Sequence, residues 1–200
     1  MDVTCLTTDA ETFTGHAYLV RGSRPTLVDA GAMPGIASTV RESVADLAQV
    51  LLTHRHEDHV EQLPALREAF DLTVYAADPR NGAVELADGD RIPVGDGDLE
   101  AVATPGHAPD HLAFLGEGVL FSGDVVVYSD GAFEDGSFGR TDLPDADRET
   151  LIESLDRLLD RLPASVESLY PGHGPSHHGD IREVIRRARS RAARREPKYE

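Results

Sequence analysis

The chain of 200 residues has a formal net charge of -17 at pH 7, with 36 acidic and 19 basic side chains. Such a surface repels polyanions, which argues against nucleic acid as a partner. No apolar run is long enough to cross a membrane, no signal peptide is recognisable and Cys5 is the only cysteine, so we expect a cytoplasmic protein without an intramolecular disulfide.

The N-terminal half predicts short strands followed by helices. Three runs of strand-forming residues, separated by Gly, Ser and Pro, lie at 3–8, 16–21 and 25–29. Apolar residues at helical spacing predict a helix over 34–47. Residues 49–53, "QVLLT", predict a buried strand that leads into "HRHEDH", and Val60, Leu63, Leu66 and Phe70 then predict a helix that starts at this motif.

The second half begins with strands and tight turns over residues 73–127. A leucine stripe predicts a helix over about 145–162, with Asp145 or Asp147 as its cap. A strand then leads into "PGHGP", and an arginine-rich helix follows over about 181–195. This order favours an α/β (α+β) fold with sheets covered by helices. No repeat or linker divides the chain, so we expect residues 1–200 to form a single domain.

The motif His54-Arg55-His56-Glu57-Asp58-His59 lies where a predicted strand meets a predicted helix. In an extended segment, His54 and His56 project to the same side and can bind one ion together. Asp58 and His59 then point toward a neighbouring position as the chain turns into the helix. Four nitrogen and oxygen donors within six residues therefore favour two adjacent metal sites that are completed from elsewhere.

Three further donors each follow an apolar strand and a glycine: His107 in "TPGH", Asp124 in "SGD" and His173 in "YPGH". A donor at a strand end is held by the sheet and faces a cleft, as a metal ligand must. Because the donors are imidazoles and carboxylates, zinc is the first expectation for both ions, and iron or manganese also fits.

The pattern HxHxDH followed by a separate His, an Asp and a last His resembles the metallo-β-lactamase superfamily, from "YLV…TLVDAG" to "YPGHGP". The resemblance implies a four-layer αββα sandwich with two metals at one edge of its sheets. It also implies a first metal on His54, His56 and His107, a second on Asp58, His59 and His173, and a bridging role for Asp124.

The stretches "TPGHAPDHLAF", "LFSGDVVV" and "GSFGRTDLPDADRETLIESLDRLL" are most similar to short glyoxalase II-like proteins, the hydroxyacylglutathione hydrolases. This similarity implies hydrolysis of a small-molecule thioester by a metal-bridging hydroxide. Asp58 lies beside the expected water and is predicted to orient it.

Two other functions remain open at this level. A persulfide dioxygenase of the same fold would hold a single iron on His54, His107 and Asp124. An RNA-processing nuclease shares the motif, but the acidic charge opposes RNA binding.

The remaining polar residues have less specific expectations. Arg140 is predicted either to contact an acidic substrate or to pair with Asp142. His111 is expected to support the site without binding metal, His16 to be structural, and His177 and His178 to lie solvated in a loop. The aspartate-rich surface with Lys198 as its single lysine suggests adaptation to high salt; an ordinary acidic protein is the alternative.

Overall fold

Two six-stranded β-sheets lie face to face in the computed structural model, which describes residues 1–196 and 198. The strands are β1 (Asp2–Cys5), β2 (Tyr18–Arg21), β3 (Thr26–Val28), β4 (Gln49–Leu51), β5 (Thr73–Ala76), β6 (Val84–Glu85), β7 (Arg91–Val94), β8 (Gly97–Ala103), β9 (Leu112–Gly116), β10 (Val119–Gly123), β11 (Val126–Val127), β12 (Ser137–Phe138), β13 (Ser168–Pro171) and β14 (His177–His178). The first sheet runs from β1 to β6 in order, antiparallel up to β3 and parallel from there on. The second sheet has the order β14-β13-β10-β9-β8-β7, in which only β10 and β13 pair in parallel. Strands β11 and β12 pair separately.

Over the part of the chain that the structure describes, five α-helices accompany the sheets: α1 (Ile36–Ser43), α2 (Glu57–Val60), α3 (Leu63–Ala69), α4 (Arg148–Arg161) and α5 (Ile181–Ala193). The side chain of Asp147 caps α4, because it accepts a hydrogen bond of 2.7 Å from the backbone N–H of Thr150. Within the described residues, no helix combines the length and the apolar character that a membrane span requires.

Three hydrophobic cores separate four layers. Between the sheets, Tyr18 and Leu51 of the first sheet pack with Phe114 and Phe121 of the second. Apolar residues of α1 and α3 cover the outer face of the first sheet, and those of α4 and α5 cover the outer face of the second. The sheets are therefore buried on both faces, and the expected αββα arrangement is confirmed.

The observed helices differ in two places from the helices that the spacing of apolar residues predicted. Helix α1 ends at Ser43 because Val44 has an extended backbone, although Leu47 is buried in the same core. The helix predicted after the motif is divided into α2 and α3. Pro64 has no N–H to donate to the carbonyl of Val60, so a continuous helix would lack that hydrogen bond.

The prediction that His177 and His178 lie in a loop is wrong, since they form β14 and pair with Ser168 and Leu169. His177 is only partly exposed, and its ring stacks on Tyr128 with centroids 3.8 Å apart. His178 is exposed, as expected.

Candidate metal centre

The ends of several strands deliver polar side chains to one place. The "HRHEDH" motif follows β4, Asp124 follows β10, and His173 follows β13, while His107 lies in the loop after β8. In each case a strand that contains buried apolar residues is followed by a donor that no longer pairs in the sheet. The structure brings all seven predicted donors together, in overlapping groups whose donor atoms lie within 4.8 Å of one another.

The first group consists of three imidazole nitrogens. His56 Nδ1 lies 3.0 Å from His54 Nε2 and 2.9 Å from His107 Nε2. The outer nitrogens of two of these rings face oxygen atoms: His54 Nδ1 faces Thr53 Oγ1 at 3.0 Å, and His107 Nδ1 faces the carbonyl of Arg140 at 2.9 Å. If these outer nitrogens carry the protons, the inner lone pairs point at one another. That arrangement could hold a cation.

The second group lies next to the first and combines carboxylates with imidazoles. Asp58 Oδ2 is 3.0 Å from His173 Nε2 and 3.7 Å from His59 Nε2. Asp124 reaches both groups, because its Oδ2 lies 3.4 Å from His107 Nε2 and 3.5 Å from His173 Nε2. Its Oδ1 lies 3.4 Å from His59 Nε2. Asp124 could therefore contribute to two neighbouring sites.

Two atoms of this cluster lack hydrogen-bond partners within the described chain, although both are buried. They are His59 Nε2 and Asp124 Oδ1. An unsatisfied buried polar atom costs about 1–3 kcal/mol, and a cation between these two atoms would satisfy both. The donor set is nitrogen and oxygen only, so it fits two divalent cations such as zinc, iron or manganese.

Asp29 supports the cluster from beneath, and the sequence interpretation missed it. Its Oδ2 accepts hydrogen bonds from His59 Nδ1 at 2.8 Å and from the Thr53 hydroxyl at 2.7 Å, and its Oδ1 accepts one from the Thr53 backbone N–H. Because the Thr53 hydroxyl proton goes to Asp29, Thr53 Oγ1 is free to accept from His54 Nδ1. The one sequence feature that could have pointed to Asp29 is its position directly after the apolar run "TLV", at the end of a predicted strand.

The buried histidine His111 holds the backbone of Asp124. Its Nε2 accepts a hydrogen bond of 3.0 Å from the Asp124 N–H, and its Nδ1 lies 2.7 Å from Thr104 Oγ1. With both nitrogens engaged, His111 is a supporting residue, in line with expectation. Burial lowers the pKa of its imidazole to about 3. His16 also has a local partner, because its Nδ1 lies 2.8 Å from the Tyr18 hydroxyl.

Charges within the cluster are strongly coupled. Burial lowers the pKa of His54 well below its usual value. Burial also opposes a charged His59, but the carboxylates of Asp124 and Asp29 outweigh it and hold the pKa of His59 well above the usual value. Burial would raise the pKa of Asp124, yet the surrounding imidazoles keep it well below the normal range. Asp124 is thus held ionised, the form in which a carboxylate binds a cation.

A cavity of about 690 Å³ opens above the cluster. Phe13 stacks on His173 with ring centroids 5.2 Å apart and is 80% exposed. Arg140 lines the cavity and also binds Asp142 through two hydrogen bonds of 2.9 and 2.6 Å. Both predicted roles of Arg140, contact with an acidic substrate and pairing with Asp142, are therefore compatible with the structure. Lys198 lines the cavity as well, and its Nζ lies 2.6 Å from Asp130 Oδ2. The sequence interpretation gave Phe13 and Lys198 no role in the site.

The relatives of this chain include proteins named as thioester hydrolases. A hydroxyacylglutathione hydrolase from Bdellovibrio bacteriovorus is 34% identical over 122 residues, which cover 54% of this chain and 49% of that protein. Thioesterase pkgB from Emericella nidulans is 35% identical over 194 residues, which cover 92% of this chain and 53% of that protein. The matches therefore span about half the length of these relatives.

Solved structures are also similar. ETHE1 from Myxococcus xanthus has a TM-score of 0.77 at 26% identity, with 96% of this chain and 85% of that chain covered. TTHA1623, in a di-iron-bound form, has a TM-score of 0.70 at 32% identity, with 87% and 93% covered. The family model described as the metallo-beta-lactamase superfamily matches residues 10–192. The chain therefore belongs to the metallo-β-lactamase superfamily.

Proposed function

We propose that the protein is a binuclear metal-dependent hydrolase that cleaves small-molecule thioesters. The observation that carries the proposal is the position of Asp124 between two donor groups, one of three imidazole nitrogens and one of Asp58, His59 and His173. A dioxygenase with a single iron would need only part of this donor set.

In this proposal, His54, His56 and His107 would hold one cation, Asp58, His59 and His173 would hold the other, and Asp124 would serve as a donor to both. When bound, two divalent cations supply hydroxide at neutral pH and stabilise the negative charge that develops on a carbonyl oxygen.

The chain's own residues orient the reactants. Asp58 lines the cavity. Burial would raise the pKa of its carboxyl group, but hydrogen bonding to His173 and the nearby imidazoles keep this pKa below the usual value, so the carboxylate is ionised and can accept a hydrogen bond from water and orient it. Phe13 limits the approach of bulk water over His173.

The thioester assignment draws support from the relatives that are named hydroxyacylglutathione hydrolase and thioesterase. The cavity of about 690 Å³ is large enough for a small molecule, and Arg140 at its rim suits an acidic group on the substrate. The net charge of -17 opposes a nucleic acid substrate. We expect the reaction to take place in the cytoplasm.

Elemental analysis of the purified protein, followed by assays on S-lactoyl thioesters of several thiols, tests the proposal. We expect two metal ions per chain and thioester hydrolysis that is lost in His56→Ala and Asp58→Asn. His178→Ala, which changes an exposed histidine outside the cluster, serves as the matched control and should retain activity. One iron per chain, with oxygen uptake on glutathione persulfide and no thioesterase activity, would instead identify a dioxygenase.

A further inference from the structure

The segment of residues 13–16 contacts the second donor group, which consists of Asp58, His59 and His173. The N–H of Gly15 donates a hydrogen bond of 2.9 Å to the carbonyl of Asp58. A Cβ on Gly15 would lie 2.7 Å from His59 Cε1, so the backbone rests directly against that imidazole and leaves no room for a side chain. Over the described chain, the segment forms no hydrogen bond or ring contact with the three imidazoles of the first group. It therefore supports one group and not the other.

His173 is held differently from three of the other imidazoles of the centre. His54, His59 and His107 are at most 4% exposed, and the outer nitrogen of each faces an oxygen atom. The side chain of His173 is 25% exposed, and within the described chain its outer nitrogen, Nδ1, has no hydrogen-bond partner. Ordering a free side chain costs conformational entropy, so a donor that is already held in place binds a cation more tightly. His173 needs some other contact to hold it.

The ring of Phe13 supplies such a contact. It stacks on the His173 imidazole with ring centroids 5.2 Å apart and ring planes 15° apart. Phe13 is 80% exposed and belongs to none of the three hydrophobic cores, so the fold does not depend on it. Stacked aromatic rings prefer a defined separation and orientation, and the stack can therefore fix the imidazole where a hydrogen bond is absent.

We propose that Phe13 is a positioning residue: it holds the His173 imidazole in the orientation that binds a divalent cation, and so sets the affinity of the second donor group without changing that of the first. This inference rests on the two cation sites of the proposed function, but it does not depend on the substrate. It gives the exposed ring of Phe13 a role in loading the protein with metal.

Calorimetric titration of the metal-free protein with Zn²⁺ measures the two binding steps. Phe13→Leu keeps an apolar side chain but removes the ring, and we expect one step to weaken by about three- to tenfold while the other stays unchanged. Phe13→Tyr keeps the ring and should bind both zinc ions as the wild type does. Val84→Ala changes another exposed apolar residue, outside the cavity, and should also leave both steps unchanged.

Double variants identify the site that responds. His56→Ala removes a donor of the first group, and His173→Ala removes the stacking partner. Phe13→Leu should weaken zinc binding in the His56→Ala protein and have no effect in the His173→Ala protein. Equal weakening of both steps, no weakening, or the same loss in the His173→Ala protein would overturn the inference, as would a wild type that binds only one zinc ion per chain. If the wild type binds two zinc ions but hydrolyses no thioester, the proposed function fails, while the titrations still decide the role of Phe13.

Discussion

His111 accepts a hydrogen bond from the backbone N–H of Asp124 at 3.0 Å, and so fixes the residue that reaches both donor groups. The variant His111→Phe keeps an aromatic ring of similar size but leaves that buried N–H without an acceptor. We expect a loss of about 1–3 kcal/mol in the free energy of unfolding. We also expect lower metal content, because Asp124 is no longer held in position.

Denaturant titration and elemental analysis measure these two effects. His111→Gln, whose side-chain carbonyl can accept from the same N–H, should recover part of both. His177→Phe is the matched control, since His177 stacks on Tyr128 outside the cluster. A His111→Phe protein with full stability and full metal content would refute the supporting role.

Asp29 should matter for metal affinity although it lies outside the proposed ligand set. Asp29→Asn replaces one acceptor oxygen with an NH₂ group, so in either orientation of the amide at least one of the groups on Thr53 and His59 that donate to Asp29 loses its acceptor. Loss of such outer partners typically weakens metal binding by about 10–100-fold. Competition with a chromophoric chelator would measure this change. An Asp46→Asn variant, in an exposed segment before β4, should bind metal as the wild type does.

That the seven candidate donors come together could be predicted from sequence, because each lies in a local pattern. The "HRHEDH" motif follows a short apolar strand, and His107, Asp124 and His173 each follow a strand and a glycine. The strand and helix patterns predicted sheets covered by helices, and the resemblance to the metallo-β-lactamase superfamily implied the four layers. Asp29 was missed because its role arises from the parallel pairing of β3 with β4, which no local pattern reports. That pairing places Asp29 beneath Thr53 and the motif.

Other features could not be predicted from the sequence, because they also depend on three-dimensional packing. The spacing of apolar residues over 34–47 predicted one helix, but it reports only which residues are buried. Leu47 packs in the core although the helix has already ended at Ser43. The place of Lys198 in the cavity depends on how distant loops meet. The single-domain assignment and the roles of the seven ligands stay predictions.

Gly172 allows close packing against the metal centre. A Cβ on this residue would overlap Asp124 Oδ1 and come within 2.7 Å of His59 Cε1. Gly172→Ala should therefore displace Asp124 or His59, reduce metal content, and destabilise the fold by roughly 1–3 kcal/mol. Gly97→Ala is the control, because its Cβ meets only Met1 Cε at 3.5 Å. Equal metal content in the two variants would contradict the prediction.

The acidic surface predicts that salt stabilises the protein. At a net charge of -17, self-repulsion acts across the folded surface, and molar salt shortens the screening length from about 10 Å to about 3 Å. Salt also weakens exposed ion pairs such as Arg189 with Asp156, but such pairs contribute little. We therefore expect the free energy of unfolding, measured by urea titration, to rise by about 1 kcal/mol or more between 0.1 and roughly 2 M KCl.

A variant with less charge separates screening of self-repulsion from a general salt effect. Glu42, Glu68 and Asp160 are exposed, and none of them forms an ion pair within residues 1–196 and 198. Changing all three to their amides removes three negative charges, so this variant should be more stable than the wild type at low salt. It should also gain less from KCl, because less repulsion remains to be screened. Stability that is flat or falling with salt in the wild type would show that the acidic surface is not an adaptation to salt.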